Sequence, residues 1–138
     1  MNELDDFYDF LEDINRFCRI QNIPASTVSS EFAPGQFEIN LNSTVDLLKA
    51  ADDSVLLRRL VKETAIKNGY EATFLSKPYL GKAGNGMHLH LSLYDKNNKN
   101  VFSKNKLKNK NMLHAIGGLQ KIMYDSMAFF APNINSYR

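Results

Sequence analysis

The chain has 138 residues, 43% hydrophobic and 23% charged, a balance that suits one globular domain with one core. Lys plus Arg number 17 and Asp plus Glu 15, so the net charge of +2 is too small to argue for nucleic acid or an acidic membrane surface as partner. The single cysteine, Cys18, excludes an internal disulfide, no apolar run is long enough to span a bilayer, and the acidic start (Glu3, Asp5, Asp6, Asp9) is unlike a secretory signal, which leaves the cytoplasm as the default.

Leu4, Phe7, Leu11, Ile14, Phe17 and Cys18 recur at helical spacing, which predicts an amphipathic helix ended by Pro24, with Cys18 as a buried thiol. Thr27–Phe32 and Phe37–Leu41 read as strands joined by the turn signal Ala33-Pro-Gly-Gln36, and so short a link predicts an antiparallel hairpin. Asn42-Ser-Thr44 offers helix caps, and Leu47, Leu48, Ala51, Val55, Leu56, Leu60, Val61 and Ala65 carry a helical period to Gly69, with Asp52-Asp53 as a candidate break. Tyr70–Leu75 reads as a strand, a glycine-bearing loop follows, and Met87–Tyr94 shows the clearest strand pattern of the chain. Asp95–Asn100 is a polar turn after which Val101-Phe102 can pair back, and a last helix runs from about Asn111 to Phe130, stopped by Pro132. The order predicts an α+β fold, a mostly antiparallel sheet with helices packed on one face, its other face free to carry a site. No long linker divides residues 1–138, which read as one segment.

Two clusters carry chemistry. With Phe32 opposite Phe37, Glu31 stands opposite Glu38, and strand alternation puts both carboxylates on one face with Ser29 and Asn40. Like charges across a strand pair repel, which a divalent cation bound to carboxylate oxygens would offset; two glutamates on a solvated face is the alternative. His88, His90 and Ser92 step by two along the Met87–Tyr94 strand, with Met87, Leu89, Leu91 and Leu93 turned to the helices. Two imidazoles so spaced can ligate a metal or contact phosphate, or be hydrogen-bonded surface histidines. Taken together, carboxylates and imidazoles suit magnesium or manganese better than a structural zinc. His114 reads as structural, and the lysines at 96, 99, 104, 106, 108 and 110 read as a solvated stretch without the interleaved aromatics of a nucleic-acid binder.

Glu31-Phe-Ala-Pro-Gly-Gln-Phe-Glu38, Gly84-Asn-Gly-Met-His-Leu-His-Leu-Ser92 and Asn135-Ser-Tyr-Arg138 resemble motifs of the glutamine synthetase superfamily, as do Lys77-Pro78 and Ala115-Ile-Gly-Gly-Leu119. Phe37-Glu-Ile-Asn-Leu41, Asn100-Val-Phe102 and Ser126-Met-Ala-Phe-Phe-Ala-Pro132 are similar to its γ-glutamyl-polyamine synthetase branch. The resemblance implies the family's catalytic, guanido-kinase-like domain. It implies an ATP-dependent ligase that activates the γ-carboxylate of glutamate as an acyl phosphate and transfers it to ammonia or an amine, with Mg2+ or Mn2+ as cofactor. By position, Glu31 and Glu38 match metal ligands near the glutamate and amine, and His88 matches the histidine on the metal shared with ATP. Gly84 matches the backbone that receives the substrate glutamate, and His90 and Ser92 match residues on the nucleotide side. No catalytic residue is assigned within the segment.

The family often has Asn where this chain has Ala83. The resemblance further implies that the N-terminal β-grasp domain and the C-terminal part of the catalytic domain fall outside 1–138, and that the parent assembles as a homo-oligomer, a ring dodecamer. It points to no nucleic acid and no membrane. The segment alone is then expected to bind metal or nucleotide weakly and not to turn over. The other reading is a metal- or nucleotide-binding or regulatory remnant of the same fold without catalysis.

Overall fold

A computed structural model describes residues 3–103 and 109–138. These form two compact units, residues 1–84 and 85–138.

The first unit begins with α1 (Glu3–Asp6) and α2 (Tyr8–Ile20). Phe10, Ile14 and Cys18 lie at four-residue steps, so they share one face of α2, and all three are buried. The helix ends at Ile20, before Pro24, and the chain turns away at Asn22. This residue takes a left-handed φ of 55°, while the Asn22 and Ile23 amides donate back to the Arg19 and Cys18 carbonyls. Asn tolerates that conformation better than most side chains, and Ile23 then tucks into the core.

Two strands follow, β1 (Ala25–Ser30) and β2 (Phe37–Leu41), antiparallel as expected. The register differs from the sequence reading. Ser30 pairs with Phe37 and Ser29 with Glu38, while the Glu31 amide donates to the Gln36 carbonyl at 2.8 Å. The loop therefore takes Phe32–Gly35 rather than Ala33–Gln36. The expected turn is kept, the Gln36 amide donating to the Ala33 carbonyl at 3.0 Å with Gly35 at φ 69° in the third position, which is type II chemistry, but the Gln36 carbonyl joins the ladder opposite Glu31. Phe32, expected on the apolar face, is instead 92% exposed in the loop. A register irregularity lies between Ala25 and Val28.

α3 (Leu47–Lys67) is capped by Asp46, whose carboxylate accepts from the Lys49 amide at 3.0 Å. Asp52-Asp53 does not break it. Asp53 is buried, and both its oxygens accept from Lys49 Nζ at 2.8 Å, one helical turn away. The buried stripe of α3 is Asp53, Leu57, Leu60, Val61, Thr64 and Ala65, whereas Leu47, Leu48 and Val55 are exposed. Gly69, at φ 77°, closes the helix: its amide donates to Ile66 and the Tyr70 amide to Ala65. That pair of bonds satisfies the last carbonyls of the helix.

The core of this unit is Phe10, Ile14, Cys18, Ile23, Leu57, Leu60, Val61 and Ala65, with Ile39 and Leu41 packed on it from the sheet. Each fully buried large aliphatic side chain stabilises by about 1.5–3 kcal/mol. Phe7 joins the layers, its ring centroid 5.2 Å from Phe37 and 5.1 Å from Tyr70. Helices thus cover one face of an antiparallel sheet, and the fold is α+β as expected.

Residues 70–75 and 87–94 do not form the strands expected of them. A strand requires a neighbour to take its amides and carbonyls, and among the described residues the paired strands are β1 and β2, with an isolated bridge between Tyr94 and Asn100. Met87, Leu89, Leu91 and Leu93 are exposed rather than turned to helices.

In the second unit, the Asp95–Lys99 turn is held by the Asp95 carboxylate, which accepts from the Asn97 and Lys99 amides at 2.8 and 3.0 Å. The Val101 amide donates to Leu93, so Val101 does pair back. α4 (Lys110–Phe130) starts at Asn109. The side-chain oxygen of this cap accepts from the Met112 amide at 3.1 Å, and its nitrogen donates to the Val101 carbonyl at 2.6 Å. A 3-10 turn spans Ile134–Tyr137 after Pro132. No described residue of this unit is buried, and His114, expected to serve packing, is exposed. Of the basic stretch, Lys96, Lys99 and Lys110 are exposed, and positions 104, 106 and 108 lie outside the described residues. Among the described residues, no helix is long and apolar enough to cross a membrane.

Candidate functional site

The hairpin of the first unit brings Glu31 and Glu38 to one side. They do not stand directly opposite each other, since Ser29 faces Glu38 and Glu31 faces Gln36. The register differs from the expected one by two residues along β2, and a shift of two preserves the alternation of faces. Ser29, Glu31, Gln36, Glu38 and Asn40 therefore share the side away from Ile39, Leu41 and the core. The diagonal placement relieves the like-charge contact that direct opposition would impose.

Glu38 is oriented by its neighbour: Oε1 accepts from Asn40 Nδ2 at 3.1 Å, and the same nitrogen lies 3.3 Å from Thr27 Oγ1. Asn40 is fixed in turn through its carbonyl, which accepts from Ser26 Oγ at 3.2 Å. Glu31 is exposed at the mouth of the loop. Carboxylate oxygens gathered on one strand face are donors that a hard divalent cation accepts. Within neither unit do three or more His, Cys, Asp or Glu side chains converge among the described residues.

Gly84 is tied to this hairpin. Its carbonyl accepts from Gln36 Nε2 at 2.9 Å, while Gln36 Oε1 accepts from the Ala33 amide at 3.1 Å. A Cβ at position 84 would meet the Ser76 carbonyl oxygen at 2.5 Å, so only glycine fits there. Gln36 was legible in the sequence only as a turn residue. The signal that could have found it is its amide, which offers one donor end and one acceptor end beside a Pro-Gly turn.

In the second unit, His88, His90 and Ser92 are exposed in the 87–94 segment. A Cβ on Gly86 would lie 3.5 Å from His88 Nε2, so the imidazole folds back over that glycine.

The family model for the glutamine synthetase catalytic domain matches residues 1–138. The chain is 42% identical over 139 residues to a γ-glutamylputrescine synthetase of Escherichia coli K12, which covers 100% of this chain and 29% of that protein. It is 35% identical over 135 residues to a glutamate–isopropylamine ligase of a Pseudomonas species, covering 94% of this chain and 29% of that one. Among solved structures, a GmaS/ADP complex superimposes with a TM-score of 0.86 at 31% identity, covering 98% of this chain and 32% of the other. The chain thus spans about 29% of the length of these curated relatives. With a family match from end to end and the same fold in a solved relative, the chain belongs to the glutamine synthetase catalytic-domain family.

Proposed function

We propose that residues 1–138 are a segment of the catalytic domain of an ATP-dependent ligase. The parent enzyme joins the γ-carboxylate of glutamate to ammonia or an amine through a γ-glutamyl phosphate. The β-grasp domain and the rest of the catalytic domain belong to the parent outside this segment, and the parent works in the cytoplasm as a homo-oligomer, a ring dodecamer. The observation that carries this reading is the hairpin face on which Glu31 and Glu38 lie together, one of them oriented by Asn40, next to the Gln36 link to Gly84. The similarity to ligases acting on glutamate and amines supports it.

In this reading Glu31 and Glu38 supply carboxylate oxygens to an Mg2+ or Mn2+ near the glutamate and amine, and His88 supplies an imidazole nitrogen to a second one shared with ATP. The cation shared with ATP would neutralise phosphate charge during transfer. Gly84 offers its peptide to the substrate glutamate, where glycine alone allows close approach. His90 and Ser92 offer hydrogen bonds on the nucleotide side. Part of the charge balance lies with groups of the parent outside this segment, so the segment binds metal and nucleotide weakly and does not turn over.

Paramagnetic broadening tests the reading. Substoichiometric Mn2+ added to the 15N-labelled chain is expected to erase the amide signals of Glu31 and Glu38 before those of α3. Uniform broadening across the hairpin and α3 would refute a metal site on the hairpin.

A further inference from the structure

The loop 76–84 is fastened at three points within the first unit. The Lys77 ammonium donates to the Lys82 carbonyl across its base. The Ser76 carbonyl packs against the Cα of Gly84 so closely that no side chain could be added. The third fastening reaches the hairpin: Gln36 donates to the Gly84 carbonyl while accepting from the Ala33 amide, so both ends of one planar amide are used. Gln36 faces Glu31 across the ladder and lies two residues before Glu38, on the same side of the sheet. One side chain in the middle of the carboxylate face therefore sets where the Gly84 peptide stands.

We propose that Gln36 is a positioning residue that holds the Gly84 peptide at a fixed place relative to Glu31 and Glu38, and so sets the affinity for a glutamate ligand received at Gly84. The inference rests on the reading of Gly84 given under Proposed function. An amide with one bond on each side resists rotation, because turning it puts its oxygen against the Gly84 carbonyl and its NH2 against the Ala33 amide. A loop pinned in this way loses little freedom when a ligand arrives, which is where preorganisation gains affinity.

Gln36→Glu isolates the link. The carboxylate still accepts from the Ala33 amide, so the turn is kept, but it presents an acceptor to an acceptor at Gly84. Gln36→Met, of similar length, removes both bonds and serves as the second variant. The measurements use the full 138-residue chain. In Gln36→Glu, trypsin cleavage after Lys82 and amide exchange in 76–84 are expected to rise about tenfold, the effect of losing one hydrogen bond. Exchange in α3 should not change. In the wild-type chain with Mg2+, L-glutamate should shift the Gly84 amide saturably, with an apparent Kd about tenfold weaker in both variants, the uncharged Gln36→Met separating the lost link from the added charge.

Unchanged cleavage and exchange in both variants would overturn the link. A glutamate response that survives Gln36→Glu at full affinity would overturn the positioning role alone. A protected loop with no glutamate response in the wild-type chain would overturn the reading of Gly84 and the positioning role together.

Discussion

The side-chain amide of Asn68 donates to Asp13 Oδ2 at 3.2 Å and to the Thr64 carbonyl of its own helix at 3.0 Å, so the residue that caps α3 also fastens α2. The Asn68 hydrogen bond, ahead of Arg16 and Lys67, holds the Asp13 carboxyl below its ordinary value of 3.8, against an opposing push from partial burial. A carboxyl lowered in the folded state adds stability that is complete above about pH 4 and drains away as pH falls through the folded value. Asp13→Asn removes this titration. The melting temperatures of wild type and variant should therefore differ at pH 6 and converge as the pH falls below about 4. A gap that stays constant to pH 2 would contradict the assignment.

Asp53 is buried in α3 and depends on Lys49 for its partner. Lys49→Met leaves that carboxylate unpaired, and the loss should be roughly 1–3 kcal/mol in urea unfolding, less than for a fully enclosed pair because Lys49 is half exposed. Asp52→Ala, at the exposed neighbour, should change stability by less than about 0.5 kcal/mol.

Gly69 and Asn22 end their helices in the same left-handed conformation. An alanine at either place carries the Cβ penalty of that region. Gly69→Ala and Asn22→Ala should each cost about 1 kcal/mol, whereas Asn22→Gly should be neutral or slightly stabilising. Equal midpoints for Asn22→Ala and Asn22→Gly in urea would refute this account of the caps.

Much of this architecture was readable from local rules. The helical spacing from Leu4 to Cys18 marks Ile14 and Cys18 on the buried face of α2 but leaves out Phe10, one turn before Ile14, and β2 begins and ends where its alternation does. Glu31 and Glu38 share a side under either register, because alternation has a period of two. Their precise pairing was not legible. It depends on Gln36 serving twice, its amide closing the turn on Ala33 while its carbonyl enters the ladder opposite Glu31. Tertiary partners were invisible too. Asp53 looks like a helix breaker until Lys49 reaches it, and Gln36 looks like a loop residue until Gly84 approaches it from 48 positions away. The 70–75 and 87–94 segments have strand composition, but composition supplies no hydrogen-bonding neighbour.

The most direct test of the central claim is calorimetric titration of Mn2+ into the purified chain, with Glu38→Ala as its control. The proposed hairpin ligands predict weak, saturable binding that is lost in Glu38→Ala and reduced in Glu31→Ala, while the far-ultraviolet circular dichroism stays unchanged. Binding of equal strength in wild type and Glu38→Ala, or none in a folded wild-type chain, would contradict it.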